Sequence, residues 1–145
     1  MIVQKVVDFN CRLGESPVWD AEQSAICWVD ITGETILELN TESGLLNTIP
    51  VGQMIGCIAL DENGDLLAAL KEEVVLINRL TGTKKNVVAN PEQGITNNRS
   101  NDGKCDAMGR FWFGTKSLTD EPGAGNVYRV DNGRCGAIYR MVERK

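Results

Sequence analysis

PVWDAEQSAICWVDITGETILELNTESG (residues 17–44) reads as one unit of a repeat. It runs from an apolar pair to an aspartate, turns into an apolar strand, loops into a second apolar strand, and ends in a turn with glycine. IALDENGDLLAALKEEVVLINRLTG (58–82) follows the same plan, and so does KCDAMGRFWFGTKSLTDEPGAGNVYRVDNG (104–133). The anchoring aspartates are Asp20, Asp61 and Asp106, spaced 41 and 45 residues apart. Short alternating runs such as IVQKVV (2–7) and TILELN (35–40) are divided by turn sequences such as DENGD (61–65) and LTGTKK (80–85). Long amphipathic helical patterns are missing. The chain is therefore expected to be all-β with mostly hairpin connections. A period of roughly 40–50 residues with several strands per unit marks a β-propeller.

The repeat also assigns places. In a propeller the innermost strand of each blade lines the central channel, and the strand ending at each anchor aspartate is expected to be the inner one. Five positions before the anchors stand Glu15, Gly56 and Asn101; seven before stand Leu13, Met54 and Arg99. Glu15 and Asn101 thus converge on one axis. The three repeats predict a single domain over 1–145, with blades at about 12–50, 51–92 and 97–142. Propellers close with ~4–8 blades, and three would leave two raw apolar faces. The chain is accordingly read as half of a six-bladed propeller, either a fragment or one of two copies that pair into a ring. The run 2–7 would belong to the closing blade.

Composition narrows the function. The 145 residues hold 42% hydrophobic and 24% charged side chains with a net charge of −5. That balance disfavours nucleic acid and anionic membrane as partners, since both need a basic face. No apolar run approaches the ~20 residues that span a bilayer, and the N-terminus is too short and interrupted for a signal peptide. The five cysteines, Cys11, Cys27, Cys57, Cys105 and Cys135, are odd in number and widely spread, which fits reduced thiols in a cytoplasmic protein, mostly as small core residues. There is no histidine. This removes a Ser-His-Asp triad, a Cys-His dyad and imidazole metal sites. Any metal must be held by oxygen, which favours Ca²⁺, Mg²⁺ or Mn²⁺, with Zn²⁺ only through carboxylates.

NNRSNDGKCDAMGRFWFGT (97–115) places a polar cluster before an aromatic strand. It reads either as a solvated loop or as ligands at the mouth of a cavity. Arg99 and Asn101 sit two apart in an extended stretch, so both can face one side. A donor fork beside an amide suits a polyhydroxylated or carboxylated ligand. Glu15, in RLGESPVWD (12–20), reads as a turn carboxylate or as a rim acid entering a strand that Trp19 marks as buried. Asp102, Gly103 and Lys104 read as a structural turn, and the three anchor aspartates as devices of the repeat. Trp19, Trp28, Trp112 and Phe113 are expected in the core between blades.

RLGESPVWD and NRSNDGKCDAMGRFWFGT together resemble the senescence marker protein/gluconolactonase/luciferin-regenerating family, which includes regucalcin-like proteins. The likeness runs over essentially the whole chain. It implies a six-bladed propeller with one divalent cation in the central channel, Ca²⁺ foremost and Zn²⁺, Mn²⁺ or Mg²⁺ compatible. It implies hydrolysis of a sugar lactone to the aldonic acid, a carboxylic ester hydrolase activity. By that resemblance Glu15 matches the metal-binding glutamate, and Arg99 and Asn101 match the pair that contacts substrate oxygens. The family's remaining ligands, an Asn and an Asp that is also the general base, are expected beyond residue 145, so no catalytic residue lies in this chain. Where some members carry a further acid, this sequence has Thr119, Asp120 and Glu121, and no role is assigned there. The site would be completed by a missing C-terminal half or by a homodimer that closes the ring; a non-catalytic calcium-binding propeller or binding module stands as the alternative.

Overall fold

The computed structural model describes residues 1–131, 134–135 and 139–140. It consists of three antiparallel sheets, each a meander whose strands neighbour one another in sequence order. Blade one comprises β1 (Gly14–Asp20), β2 (Ala25–Asp30), β3 (Thr35–Asn40) and β4 (Leu46–Pro50). Blade two comprises β5 (Ile55–Leu60), β6 (Leu66–Leu70), β7 (Val74–Ile77) and β8 (Lys84–Ala89). Blade three comprises β9 (Asn98–Cys105), β10 (Phe111–Ser117) and β11 (Asn126–Asp131), with the short β12 (Arg134–Cys135) and β13 (Tyr139–Arg140) both paired to β11 in the place of a fourth strand.

The turns explain why the repeat carries an aspartate. Asp61 Oδ1 accepts the amides of Asn63 and Asp65 at 2.9 and 2.8 Å. Asp106 Oδ1 accepts those of Met108 and Arg110 at 2.9 and 3.0 Å. Asp20 Oδ1 accepts those of Glu22 and Gln23 at 2.9 and 3.2 Å. Each carboxylate closes the hairpin between the first and second strands of its blade, an Asx-type turn. Three residues after Asp61 and Asp106 the backbone turns left-handed at Gly64 (φ +81°) and Gly109 (φ +73°). In blade one the loop is a residue longer, and Ser24 takes that conformation at φ +50°.

The core is two sheet-on-sheet interfaces. Cys27, Val29, Ile36 and Ile49 of blade one pack on Ile58, Leu66, Ala68 and Val75 of blade two. Cys57, Ala59, Ala69 and Val74 of blade two pack on Phe111, Phe113, Tyr128 and Val130 of blade three. The rings of Phe111 and Phe113 stack at 5.7 Å between centroids, and those of Phe113 and Tyr128 at 5.4 Å. Blade two is therefore covered on both faces, and this is why IGCIAL (55–60) is apolar without alternation, as strands buried on both sides are. The outer blades alternate instead: β10 buries every second residue.

A charged latch joins blades one and two. Arg79, just beyond β7, is only 8% exposed. Its Nε donates to Glu38 Oε2 at 2.6 Å, its Nη1 to Asp20 Oδ2, and its Nη2 to Cys27 Sγ at 3.6 Å. One side chain thus engages three strands of the neighbouring blade. Burial pushes the Cys27 thiol up to about 11, so it is a protonated packing group at neutral pH. Cys57 is buried, Cys11 half-buried and Cys105 exposed, and none of the four is in a disulfide.

Three expectations are corrected. The polar run from Asn98 is neither a solvated loop nor a prelude to a strand: it is β9 itself, and Asp102-Gly103 lies inside that strand rather than in a turn. Gly103 is used for close packing, because a Cβ there would lie 2.6 Å from both Cys57 Sγ and the Trp112 carbonyl oxygen. Trp19 is 54% exposed, not core, because it points away from the interface its neighbour Val18 helps to fill. Trp112 is half-buried. It sits between Arg110 and Arg129, whose guanidinium carbons lie 5.9 and 5.5 Å from its ring centroid. Its Nε1 donates to Asp106 Oδ2 at 2.8 Å. That bond chiefly holds the Asp106 carboxyl well below the usual range. Residues 2–7 are in no strand and Ile2, Val3 and Val6 are exposed, and the closing blade they are expected to join lies outside the three described sheets. The end of the third repeat falls partly outside the described residues.

Candidate functional site

The three first strands share an irregularity. Pairing of β1 with β2 shifts between Glu15 and Val18, that of β5 with β6 between Ile55 and Cys57, and that of β9 with β10 between Ser100 and Gly103. Glu15, Gly56 and Asn101, the residues at equivalent offsets from the anchors, all sit at these bulges. A bulge breaks the ladder and re-aims a side chain, and such features recur beside binding sites. In blade one the cost is visible at Ser16, which adopts φ +56°.

Each inner strand presents its residue differently. Glu15 is exposed, and its carboxylate makes no hydrogen bond with the described residues. It lines a groove of about 560 Å³ bounded by β1, β5 and β9, whose walls include Trp19, Ile58, Leu60, Asp102 and Lys104. Gly56 lets β5 and β9 touch: its amide donates to Ser100 Oγ at 3.0 Å, and Ser100 Oγ donates on to the Ala69 carbonyl at 2.5 Å. Arg99 is 9% exposed. Its Nη1 donates to the Ser100 carbonyl at 2.8 Å and to Asn101 Oδ1 at 3.1 Å. Arg99 and Asn101 are thus a preformed pair, with the amide oxygen committed to the guanidinium and the amide nitrogen left for another partner.

Electrostatics tie Glu15 to this pair. Burial pulls the Arg99 guanidinium below its ordinary value, and the negative charges of Glu15 and Asp120 oppose that shift. The acid and the pair, 84 residues apart in sequence, therefore share one neighbourhood. Asp120 is a residue the sequence left without a role. It lies in the β10–β11 connection at φ +57° and pairs with Lys116 at 2.8 Å. The Lys116 hydrogen bond and charge hold its carboxyl below the usual range, with a smaller contribution from Arg99. The adjacent acids at 120 and 121 were the only signal for it, and sequence alone does not say which of them pairs with Lys116.

The described residues do not by themselves make a metal site. No group of three or more Asp, Glu, Cys or His side chains that could hold an ion occurs among them. Glu15 gives one carboxylate and Asn101 Oδ1 is already engaged, whereas Ca²⁺ takes ~6–8 oxygens. These residues alone do not fit a resident divalent cation, and no chemical step through one is derived from them. No helix among the described residues is long and apolar enough to cross a membrane.

Three consecutive meander sheets, packed face to face with their first strands gathered around a groove, are blades of a β-propeller. The chain belongs to the SMP-30/Gluconolactonase/LRE-like region family, whose model matches residues 13–144. It is 32% identical over 119 residues to the 6-deoxy-6-sulfogluconolactonase of Pseudomonas putida, covering 82% of this chain and 40% of that protein. It is 35% identical over 137 residues to the regucalcin of Gallus gallus, covering 90% of this chain and 41% of that one. The crystal structure of a calcium-binding protein, regucalcin, from Agrobacterium tumefaciens matches with a TM-score of 0.87 at 27% identity, over 94% of this chain and 46% of that chain. The chain thus spans less than half the length of these relatives.

Proposed function

We propose that this chain contributes the substrate-orienting part of a sugar lactone hydrolase site. Arg99 and Asn101 hold hydroxyl or carboxylate oxygens of the lactone, and Glu15 supplies one ligand to a divalent cation whose other ligands lie outside residues 1–145. A cation held there by Glu15 together with further ligands would supply Lewis acidity toward a carbonyl oxygen. The general-base Asp is likewise expected beyond residue 145. The observation that carries the reading is the preformed Arg99–Asn101 pair in the electrostatic neighbourhood of a Glu15 carboxylate that has no hydrogen-bond partner among the described residues. A buried guanidinium that keeps donors free beside an amide costs desolvation, and a ligand rich in oxygen repays it.

The site is completed either by further blades of a longer chain or by a second copy of these three. Solution mass separates the two, and hydrolysis of gluconolactone with and without Ca²⁺, Zn²⁺ or Mn²⁺ tests the activity. Metal-dependent turnover that falls by ~100-fold or more in Arg99→Met supports the proposal; a completed ring with no turnover under any of the three metals removes the enzymatic claim. The second reading, a calcium-binding propeller without turnover, is favoured by the bare Glu15 carboxylate and by the similarity to a calcium-binding regucalcin. It predicts a calorimetric Ca²⁺ titration that disappears in Glu15→Gln while the lactonase assay stays silent. An unchanged titration in Glu15→Gln takes that residue out of both readings.

A further inference from the structure

Glu92 lies in the connection between β8 and β9 and is 7% exposed. Its Oε1 accepts from Thr115 Oγ1 at 2.7 Å, Asn126 Nδ2 at 2.9 Å, Tyr128 Oη at 3.0 Å and Asn98 Nδ2 at 3.4 Å. Its Oε2 accepts nothing. A single oxygen thus gathers donors from β9, β10 and β11. Two of these donors bear on Arg99. Asn98 precedes it on β9. Thr115 lies opposite Ser100, the residue after it, in the β9–β10 ladder. The Ser100 carbonyl in turn accepts from Arg99 Nη1 at 2.8 Å. Side chains two apart on a strand share a face. Asn98 and Ser100 therefore occupy the face of β9 where Ser100 bonds Gly56 and Ala69 of blade two, and Arg99 takes the other.

We propose that Glu92 is the positioning residue for the Arg99–Asn101 pair, gripping β9 from the opposite face on both sides of Arg99. As a statement about a reaction it rests on the reading of that pair as substrate-binding; as a statement about how the pair is held it does not. Glu92 acts through hydrogen bonds rather than through its charge, since the carboxylates that bear on the Arg99 guanidinium are those of Glu15 and Asp120. A buried carboxylate among neutral donors is a costly group to keep. What it provides is a strand that cannot shift without breaking several bonds at one atom. Such rigidity matters where a site must hold its groups to within about 0.5 Å, because a misplacement of about 1 Å costs on the order of 100-fold in rate.

Thr115→Val and Tyr128→Phe form a matched test. Each deletes one hydroxyl donor to the same Glu92 oxygen, but only Thr115 is tied through Ser100 to Arg99. Both are expected to unfold at lower urea. Gluconolactone kcat/KM in the completed protein is expected to fall about 10-fold or more in Thr115→Val and to stay at the wild-type value in Tyr128→Phe. Glu92→Gln keeps the accepting oxygen and is expected to match wild type. Asn98→Leu, which cuts the other link, serves if Thr115→Val does not fold. Hydrogen exchange at the amides of residues 98–101, read without any ligand, is expected to quicken by about 10-fold in Thr115→Val alone. A wild-type protein that never turns over gluconolactone removes the lactonase reading and leaves that exchange comparison to decide the positioning role. Equal effects of Thr115→Val and Tyr128→Phe overturn the proposal, since a residue that only stabilises blade three moves both alike. So does a Glu92→Gln variant that loses as much as Thr115→Val.

Discussion

Arg79→Met is expected to lower the unfolding free energy by roughly 3 kcal/mol or more, because removing one partner of a buried charge cluster strands the others. Asp20, at 6% exposure, and Glu38 would face the interface between blades one and two without their cation. The methionine keeps most of the packing volume, so the loss reports on charge rather than on a cavity. The effect is expected to depend on pH in a definite direction. Burial alone would raise the Asp20 carboxyl, but the Arg79 hydrogen bond, the Gln23 amide, the Arg79 charge and the Glu22 amide together bring it below its ordinary 3.8. A depressed carboxyl contributes stability above its unfolded value and loses it as pH falls through the folded one. The gap between wild type and Arg79→Met should therefore be full near neutrality and narrow below about pH 4. Urea unfolding at several pH values measures it. A pH-independent gap, or one below about 1 kcal/mol, would show that the latch contributes packing alone.

Gly56→Ala carries the second large effect. An added Cβ would lie 2.3 Å from the Asn101 carbonyl oxygen, 2.5 Å from the Ser100 carbonyl carbon and 2.6 Å from the Asn101 nitrogen. All three are backbone atoms of β9, so no side chain can swing aside, and the two inner strands must separate. Overpacking of this kind costs about 1–3 kcal/mol and occasionally more, and here the Gly56–Ser100 hydrogen bond goes with it. Gly114→Ala is the matched control, since its nearest neighbour, the Asn126 carbonyl oxygen, is 3.8 Å away. The expected result is a loss of about 2 kcal/mol or more in Gly56→Ala and little change in Gly114→Ala. Hydrogen exchange should show faster opening at Ser100–Gly103 in the former only. Equal stability of the two variants would mean that β5 and β9 do not approach as described.

The blades were legible because the anchor aspartates are tied to the turn they close, and a repeated turn leaves a repeated letter. The equivalence of Glu15, Gly56 and Asn101 was legible for the same reason, since offset from the anchor fixes height along the inner strand. Polarity misled at β9. Asn98, Ser100 and Gly103 look like loop residues, yet each is used inside a strand: Asn98 for Glu92 and the Ala124 carbonyl, Ser100 for Gly56 and Ala69, Gly103 for space beside Cys57. A buried polar group with all its partners behaves as core, and pairing across blades is invisible in a single chain of letters. Trp19 failed for a related reason, because size alone does not say which face of a strand a residue occupies. Arg79 and Glu92 were not singled out at all. Their partners lie 23 to 59 residues away for the contacts that cross strands, apart from the short reach of Glu92 to Asn98.

Trp112 has one more use. It lies on the side of blade three opposite the Phe111–Phe113–Tyr128 stack, its indole edge tied to Asp106 and its faces flanked by two guanidinium groups. Indole emission moves to shorter wavelength when water is stripped away. Trp112 is one of three tryptophans, so a partner that covers this face of blade three shifts one component of the chain's native emission, without a label.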